Sequence, residues 1–246
     1  MEQKKINNLI KNFDKYCNIT HNYYRTNRDS SFFYKQILKY HQKSKLKELL
    51  KNNQFLYLIY VTLITWDVDS RGASIVSYNT FSESIKKNEP NIIRLSKYKF
   101  FNIDLDNNDF WKIIENVFRE INIVDATQER KVVGISKALH FLLPHLVMPI
   151  DNRYTKKFCG HYNKDNFDKF KCTYEDFIYI RDKLKEKYGN GLINNKEIPF
   201  PKLIDDAIIG FIICENDEKE YKKGEFKYIL KFNKYGERIF NDIIKN

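Results

Sequence analysis

The sequence predicts a mainly α fold. Apolar residues recur at helical spacing wherever a pattern is legible, long alternating runs are scarce, and 42% hydrophobic with 15% aromatic residues supply ample apolar area for a core. At 246 residues the chain can form one large domain or two small ones packed together, and length does not choose between them. No internal repeat or low-complexity linker marks a boundary. The expectation is one unit over residues 1–246, with an N-terminal helical region over 1–104, a central region over 105–214 and a charged tail over 215–246.

Each element has its own signal. Ser44 is placed to cap a helix carrying Leu46, Leu49 and Leu50. After Asn52-Asn53, the segment Phe55 to Trp66 is apolar on nearly every side and predicts a buried helix. Residues 67–104 hold the turn-like string Asp67-Val68-Asp69-Ser70-Arg71-Gly72 and Pro90, and no regular structure is assigned there. From Asp106 or Asn107, Phe110, Ile113, Ile114, Val117, Phe118 and Ile121 share one face of a helix that ends near Asn122. Asp125 and Gln128 have capping-box spacing, which predicts a short helix entering a turn at Val132-Val133-Gly134. A second helix from Ser136 carries Ala138, Leu139, Leu142 and Leu143 and stops or bends at Pro144. Asp151 then stands where a helix N-cap is expected, ahead of Asn152 to Phe158. Thr173 to Gly189 has a Thr cap and a terminal Gly, and Pro199 and Pro201 introduce a core helix from Lys202 to Cys214. Residues 225–246 fit a short hairpin or a frayed helix equally well.

Lysine and arginine number 43 against 32 acidic residues, a net charge of +11. That excess favours a polyanionic partner such as nucleic acid or an anionic membrane face, although a composition crowded with Asn, Ile, Lys and Tyr also accounts for it. Cys17, Cys159, Cys172 and Cys214 lie far apart and form no CxxC pair, so no disulfide framework is expected. The N-terminal MEQKKINNLIKNF lacks the apolar core of a signal peptide, and the Phe55 to Trp66 run falls well short of the roughly 20 residues a bilayer requires. A cytoplasmic protein with no membrane association is expected. A phosphate-binding Gly-rich loop, a Gly-x-Ser-x-Gly elbow and a zinc-deaminase signature are all missing. Cys159-Gly160-His161 with Cys172 has an unfamiliar metal-ligand spacing, and no metal or other cofactor is expected.

The most specific stretch is Lys131-Val-Val-Gly-Ile-Ser-Lys-Ala-Leu-His-Phe-Leu-Leu-Pro-His-Leu-Val-Met-Pro-Ile-Asp-Asn-Arg-Tyr-Thr-Lys-Lys-Phe158: a helix, a turn at one Gly, a helix opening Ser-Lys, then Pro-x-Asp entering a third helix. It resembles the helix-hairpin-helix DNA glycosylases, most closely the 8-oxoguanine-glycosylase-like (OGG) fold, in which a Gly-x-(Ser/Thr)-Lys hairpin is followed by an aspartate. Gly134 matches the hairpin glycine, Lys137 the catalytic lysine and Asp151 the active-site aspartate. The resemblance covers about 27 residues. It departs from the pattern in having Val132 or Val133 in place of a first hairpin glycine, and in a Lys137–Asp151 interval shorter by roughly one turn of 3.6 residues. The cysteine spacing for an iron–sulfur cluster is absent.

The resemblance implies a glycosylase-like two-lobed helical bundle with the hairpin and active site in 105–214. Gly134, Ile135 and Ser136 would offer backbone N–H groups at a helix start to a DNA phosphate. A modified base would be flipped out and its N-glycosidic bond cleaved, with Lys137 attacking the sugar C1′ to form a Schiff base, possible lyase activity following, and Asp151 stabilising charge or moving the proton. Arg153, Lys156 and Lys157 are candidate phosphate contacts, and Trp66, His140, Phe141 and Tyr154 candidate walls of a base pocket. Each also has a plain structural reading: Lys137 as a solvated lysine, Asp151 as a cap, His140 as a satisfied core histidine and Trp66 as core. Trp66, Asp69 and Arg71 form a second cluster of atypical residues, and Asp205 and Asp206 are polar intrusions that either face the same cleft or serve a helix start. A non-catalytic DNA-binding or antiphage, restriction-associated module of the same fold is the alternative function, and a helical interaction protein without DNA binding is a third.

Overall fold

The computed structural model describes residues 2–24, 28–66, 68, 74–125, 128–161, 166–189 and 198–222. Twelve helices account for most of them: α1 (Gln3–Lys11), α2 (Phe13–Tyr24), α3 (Arg28–Lys43), α4 (Leu46–Leu49), α5 (Asn53–Thr65), α6 (Tyr78–Lys87), α7 (Glu89–Leu95), α8 (Asn108–Glu120), α9 (Gln128–Leu142), α10 (Thr155–Cys159), α11 (Asn166–Tyr188) and α12 (Phe200–Lys222). The protein is mainly α. The one sheet among the described residues is a two-residue antiparallel pair, β1 (Ser74–Ile75) with β2 (Val124–Asp125), in the register Ser74 opposite Asp125. None of the described helices is long and apolar enough to cross a membrane.

Local chemistry explains where several helices begin. Asn52 accepts the N–H groups of Gln54 and Phe55 at the start of α5, and Asn107 accepts that of Phe110 at the start of α8. At the far end of α11, Gly189 adopts φ +60, a left-handed stop that L side chains resist. One aromatic-rich core joins the helices, with Phe100, Phe110, Phe170 and Tyr174 packed together. Arg181, buried on α11, donates from Nη1 to the carbonyls of Phe100 and Ile103 at 2.8 Å each, which fixes the loop ahead of α8.

Several boundaries differ from expectation. Residues 67–104 contain two helices, α6 and α7, with Ser77 capping the first and Pro90 in the opening turn of the second. Ser44 caps nothing, because α3 ends just before it and α4 is a single turn. Helix α5 is open on one side, where Tyr57 and Ile64 are exposed. Thr173 lies inside α11, with its hydroxyl donating to the Lys169 carbonyl, because Asn166 to Cys172 continue the helix upstream. Helix α12 runs to Lys222, eight residues past Cys214; residues 223–246 lie outside the described residues.

The pair that matters most for the site is α2 with α12. A Cβ at Gly210 would collide with the Tyr16 carbonyl oxygen, so only glycine lets the helices approach this closely. Thr20 Oγ1 donates to the Asp206 carbonyl across the same contact, and Cys17 Sγ to that of Leu203. The first turns of α12 are thereby held against the N-terminal helices.

Candidate active site

Helix α9 runs without a break through Val132-Val133-Gly134, so the expected hairpin turn is not formed. Gly134 serves packing instead: a Cβ there would stand 3.3 Å from the side chains of Val124 and Val68, which press against the helix at that point. Ile135 and Ser136 are buried. The three backbone N–H groups assigned to a phosphate therefore lie inside a helix and not at its start, where donors lack intrahelical partners.

Ser136 has a different task. Its Oγ donates to the Val133 carbonyl and accepts the N–H of Ile150 at 3.0 Å, which ties the Pro149-Ile150-Asp151 segment to α9. Asp151 follows at once, and one helical position beyond Ser136 stands Lys137. The two side chains meet, with Lys137 Nζ 3.6 Å from Asp151 Oδ2. Lys137 Nζ also donates to the Trp66 carbonyl at 2.8 Å and lies 5.9 Å from the centre of the indole ring. The other carboxylate oxygen of Asp151 accepts the Arg153 N–H at 2.7 Å, while its own N–H donates to Thr155 Oγ1. Asp151 thus organises a turn before α10 and does not cap the helix, which starts at Thr155. Its side chain is 33% exposed against 8% for Lys137, so the acid faces solvent and the amine stands behind it.

A second lysine reaches the same indole. Lys202 Nζ lies 5.7 Å from the Trp66 ring centre, 2.9 Å from Asp205 Oδ2, and is also bonded to Asp206 Oδ1. Burial works against the Lys202 charge, but the two carboxylates outweigh it and hold the amine firmly protonated. Burial raises the Asp205 carboxyl, against the pull of Lys202 and with the help of Asp206 and Asp151, to about 6. Asp205 Oδ1 is buried with no hydrogen-bond partner among the described residues. The sequence reading singled out the two aspartates and passed over Lys202, although Lys-x-x-Asp-Asp places both acids at the i+3 and i+4 positions of one helix face.

Three expected pocket residues lie in the core. His140 Nδ1–H donates to the Val147 carbonyl at 2.7 Å and Nε2 accepts the Tyr34 hydroxyl at 2.8 Å; burial keeps the ring neutral, with its pKa down to about 3. Phe141 and Tyr154 are buried as well, so none of the three opens to an incoming base. Tyr34 and Phe141 instead pack on Trp66, with ring centres 5.4 and 4.8 Å away, and back the half-buried indole. Around Asp151, Arg153 is exposed over the Tyr154 ring, Lys156 is half-buried, and exposed Lys157 donates to Asn216 Oδ1. Asp69 and Arg71 lie outside the described residues. His161 Nε2 and Asp176 Oδ2 are 2.6 Å apart, and no group of three potential metal ligands occurs among the described residues.

Comparison with protein-family models, with curated proteins and with solved structures returns no match for this chain. The site therefore rests on its own chemistry. An amine, a partly exposed carboxylate and an indole occupy one locus, with a second lysine, the buried Asp205 and the partly buried Asp206 beside the same indole. Such an arrangement suits nucleophilic attack by nitrogen on an electrophilic carbon with a proton acceptor at hand.

Proposed function

We propose that the protein is a glycosylase-like enzyme that takes a modified base out of DNA and cleaves its N-glycosidic bond through Lys137 and Asp151. The observation that carries this reading is the 3.6 Å approach of the Lys137 amine to the Asp151 carboxylate beside Trp66. The two lobes would be the N-terminal helical region, which supplies Trp66, and the region of α9 to α12, which supplies the charged groups. Asp151 accepts a proton from the Lys137 ammonium, and the freed amine attacks C1′ as the bond to the base breaks. Loss of a further proton and opening of the sugar give a Schiff base, from which strand cleavage follows. The extruded base stacks on the indole. With Gly134 to Ser136 inside a helix, backbone contact falls to the side chains of Arg153, Lys156 and Lys157.

Reduction with borohydride tests the chemistry. Duplexes carrying oxidised, alkylated, deaminated or abasic sites are incubated with the protein and reduced. A covalent adduct is expected with the wild type and not with Lys137→Ala, and a weaker one with Asp151→Asn. Absence of an adduct on abasic DNA, or an undiminished adduct with Lys137→Ala, refutes the proposal.

One observation favours a second reading, a DNA-binding module without chemistry: Lys137 is nearly buried and already donates to the Trp66 carbonyl, as a structural ammonium would. Salt-dependent DNA binding that survives Lys137→Ala and Asp151→Asn, with no base released, selects it.

A further inference from the structure

A half-open cleft of about 230 Å³ lies between the C-terminal ends of α3 and α9 and the segment that follows α7. Leu46 and Leu142 form part of its walls, while His41, Gln42, Lys99 and His145 bring polar groups to it. Among the described residues that line it, three are basic and none is acidic. We propose that this cleft binds a phosphate group, free or as the monoester end of a small metabolite. The inference stands apart from the glycosylase reading.

The donors of the cleft are not spent elsewhere. Lys99 and His145 are exposed, and their side chains, like the Gln42 amide, make no hydrogen bond or ion pair among the described residues. Tyr98, also in the wall, donates its hydroxyl to Asp109 Oδ2 at 3.0 Å, and Arg94 already pairs with that carboxylate. Helix C-termini with open carbonyls would repel an anion, but the carbonyls at this end of α9 are engaged. His41 Nε2–H donates to that of Phe141 at 2.7 Å, the N–H groups of Leu146 and Val147 donate to that of Leu143, and the Phe100 N–H donates to that of His145. The His41 bond leaves Nδ1 as the ring's site for a second proton.

The electrostatics agree with an unanswered positive cluster. Burial, His145 and Lys99 hold the His41 imidazole below its ordinary value against the pull of the Phe141 carbonyl, and burial with Lys99 does the same to His145. His140, which both rings also influence, stays neutral behind them. An oxyanion seated among Lys99, His41 and His145 pairs with the ammonium and favours a proton on each ring. Lysine and imidazole act as point donors, which suits a tetrahedral group with several acceptor oxygens, and the described lining offers no arginine fork for a planar carboxylate. The volume falls below the roughly 300–1,000 Å³ of sites for drug-sized ligands, so the cleft fits a phosphate with a short apolar extension against Leu46 and Leu142.

Calorimetric titration with inorganic phosphate, with phenyl phosphate and with sodium chloride at matched ionic strength tests the site and separates the two sources. Saturable binding of a phosphate and none of chloride is expected, and the tighter of the two phosphates identifies the free or the ester form. Lys99→Gln and His145→Gln, both at the surface, should each weaken binding about 10-fold, close to the worth of one charge-assisted hydrogen bond. Lys97→Gln removes an equal charge from an exposed residue outside the lining and should bind as wild type does. In the wild type, phosphate should move the C2-proton titrations of His41 and His145 to higher pH, because an anion favours the imidazolium. The inference is overturned by the absence of saturable binding of either phosphate, by undiminished affinity in Lys99→Gln or in His145→Gln, by an equal loss in Lys97→Gln, or by histidine titrations that phosphate leaves unmoved. None of these outcomes bears on Lys137 and Asp151, which borohydride trapping tests separately.

Discussion

Ser136 shows how much a single hydroxyl can hold in place. It sits fully buried on α9 and is the partner of the Ile150 N–H, one residue before the carboxylate that faces Lys137. Ser136→Ala leaves that N–H buried and unpaired, which costs roughly 1–3 kcal/mol in urea unfolding and, if the proposed chemistry holds, lowers adduct formation on abasic DNA by loosening Asp151. Unchanged stability would show that the Pro149-Ile150-Asp151 segment is fixed by other contacts. His140 gives a pH signature. Its pKa is about 3 in the folded protein and near the ordinary 6.5 when unfolded, so between those values the unfolded chain binds the extra proton. The stability from neutral His140 is therefore complete above 6.5 and is lost as pH falls towards 3. Urea midpoints followed across that window should drop more steeply for the wild type than for His140→Gln, and parallel curves would contradict the assignment. At this scale the sequence was legible in part. Lys137 and Asp151 stood out because Gly-x-Ser-Lys followed by Pro-x-Asp resembles the glycosylase hairpin, although Ser136 and Lys137 lie inside α9 and not at a helix start. Lys202 did not, since a lysine-rich chain offers no way to see which amine is buried.

Elements were readable where a cap or a break coincides with an apolar face. Helix α8 begins at Asn107, α9 stops before Pro144 and α11 ends at Gly189, each as its residue types dictate. Helices α6 and α7 were not legible, because they are short and their Asn, Ser, Glu and Lys content masks the few apolar positions, Phe81, Ile85, Ile92 and Leu95, that they bury. Gly134 was misread for a physical reason: glycine marks a turn and a close approach alike, and only the neighbours distinguish them. Gly210 belongs to the second kind without ambiguity. Gly210→Ala forces α12 away from the Tyr16 carbonyl and should destabilise the protein by about 3 kcal/mol in urea or thermal unfolding. A variant as stable as wild type would mean that the two helices slide apart freely.

At the scale of the molecule, a net charge of +11 is a weak guide until it is tied to places. Many lysines are committed to the protein's own carbonyls and carboxylates, as Lys185 is to Phe101, Lys187 to Ile10 and Lys202 to its two aspartates. If Arg153, Lys156 and Lys157 meet DNA phosphates, replacing all three with Gln should flatten the dependence of log affinity on log salt by about 2 to 3, and an unchanged slope would move the interface elsewhere. The contact between α2 and α12 bears on biosynthesis. Lys202 and Asp205 come from a helix far along the chain, yet that helix docks on residues made near the start. A ribosome that has extruded Lys137, Asp151 and Trp66 has yet to deliver Lys202 and Asp205, and the charged groups around the Trp66 indole are complete only when the later portion of the newborn polypeptide folds back onto its earliest.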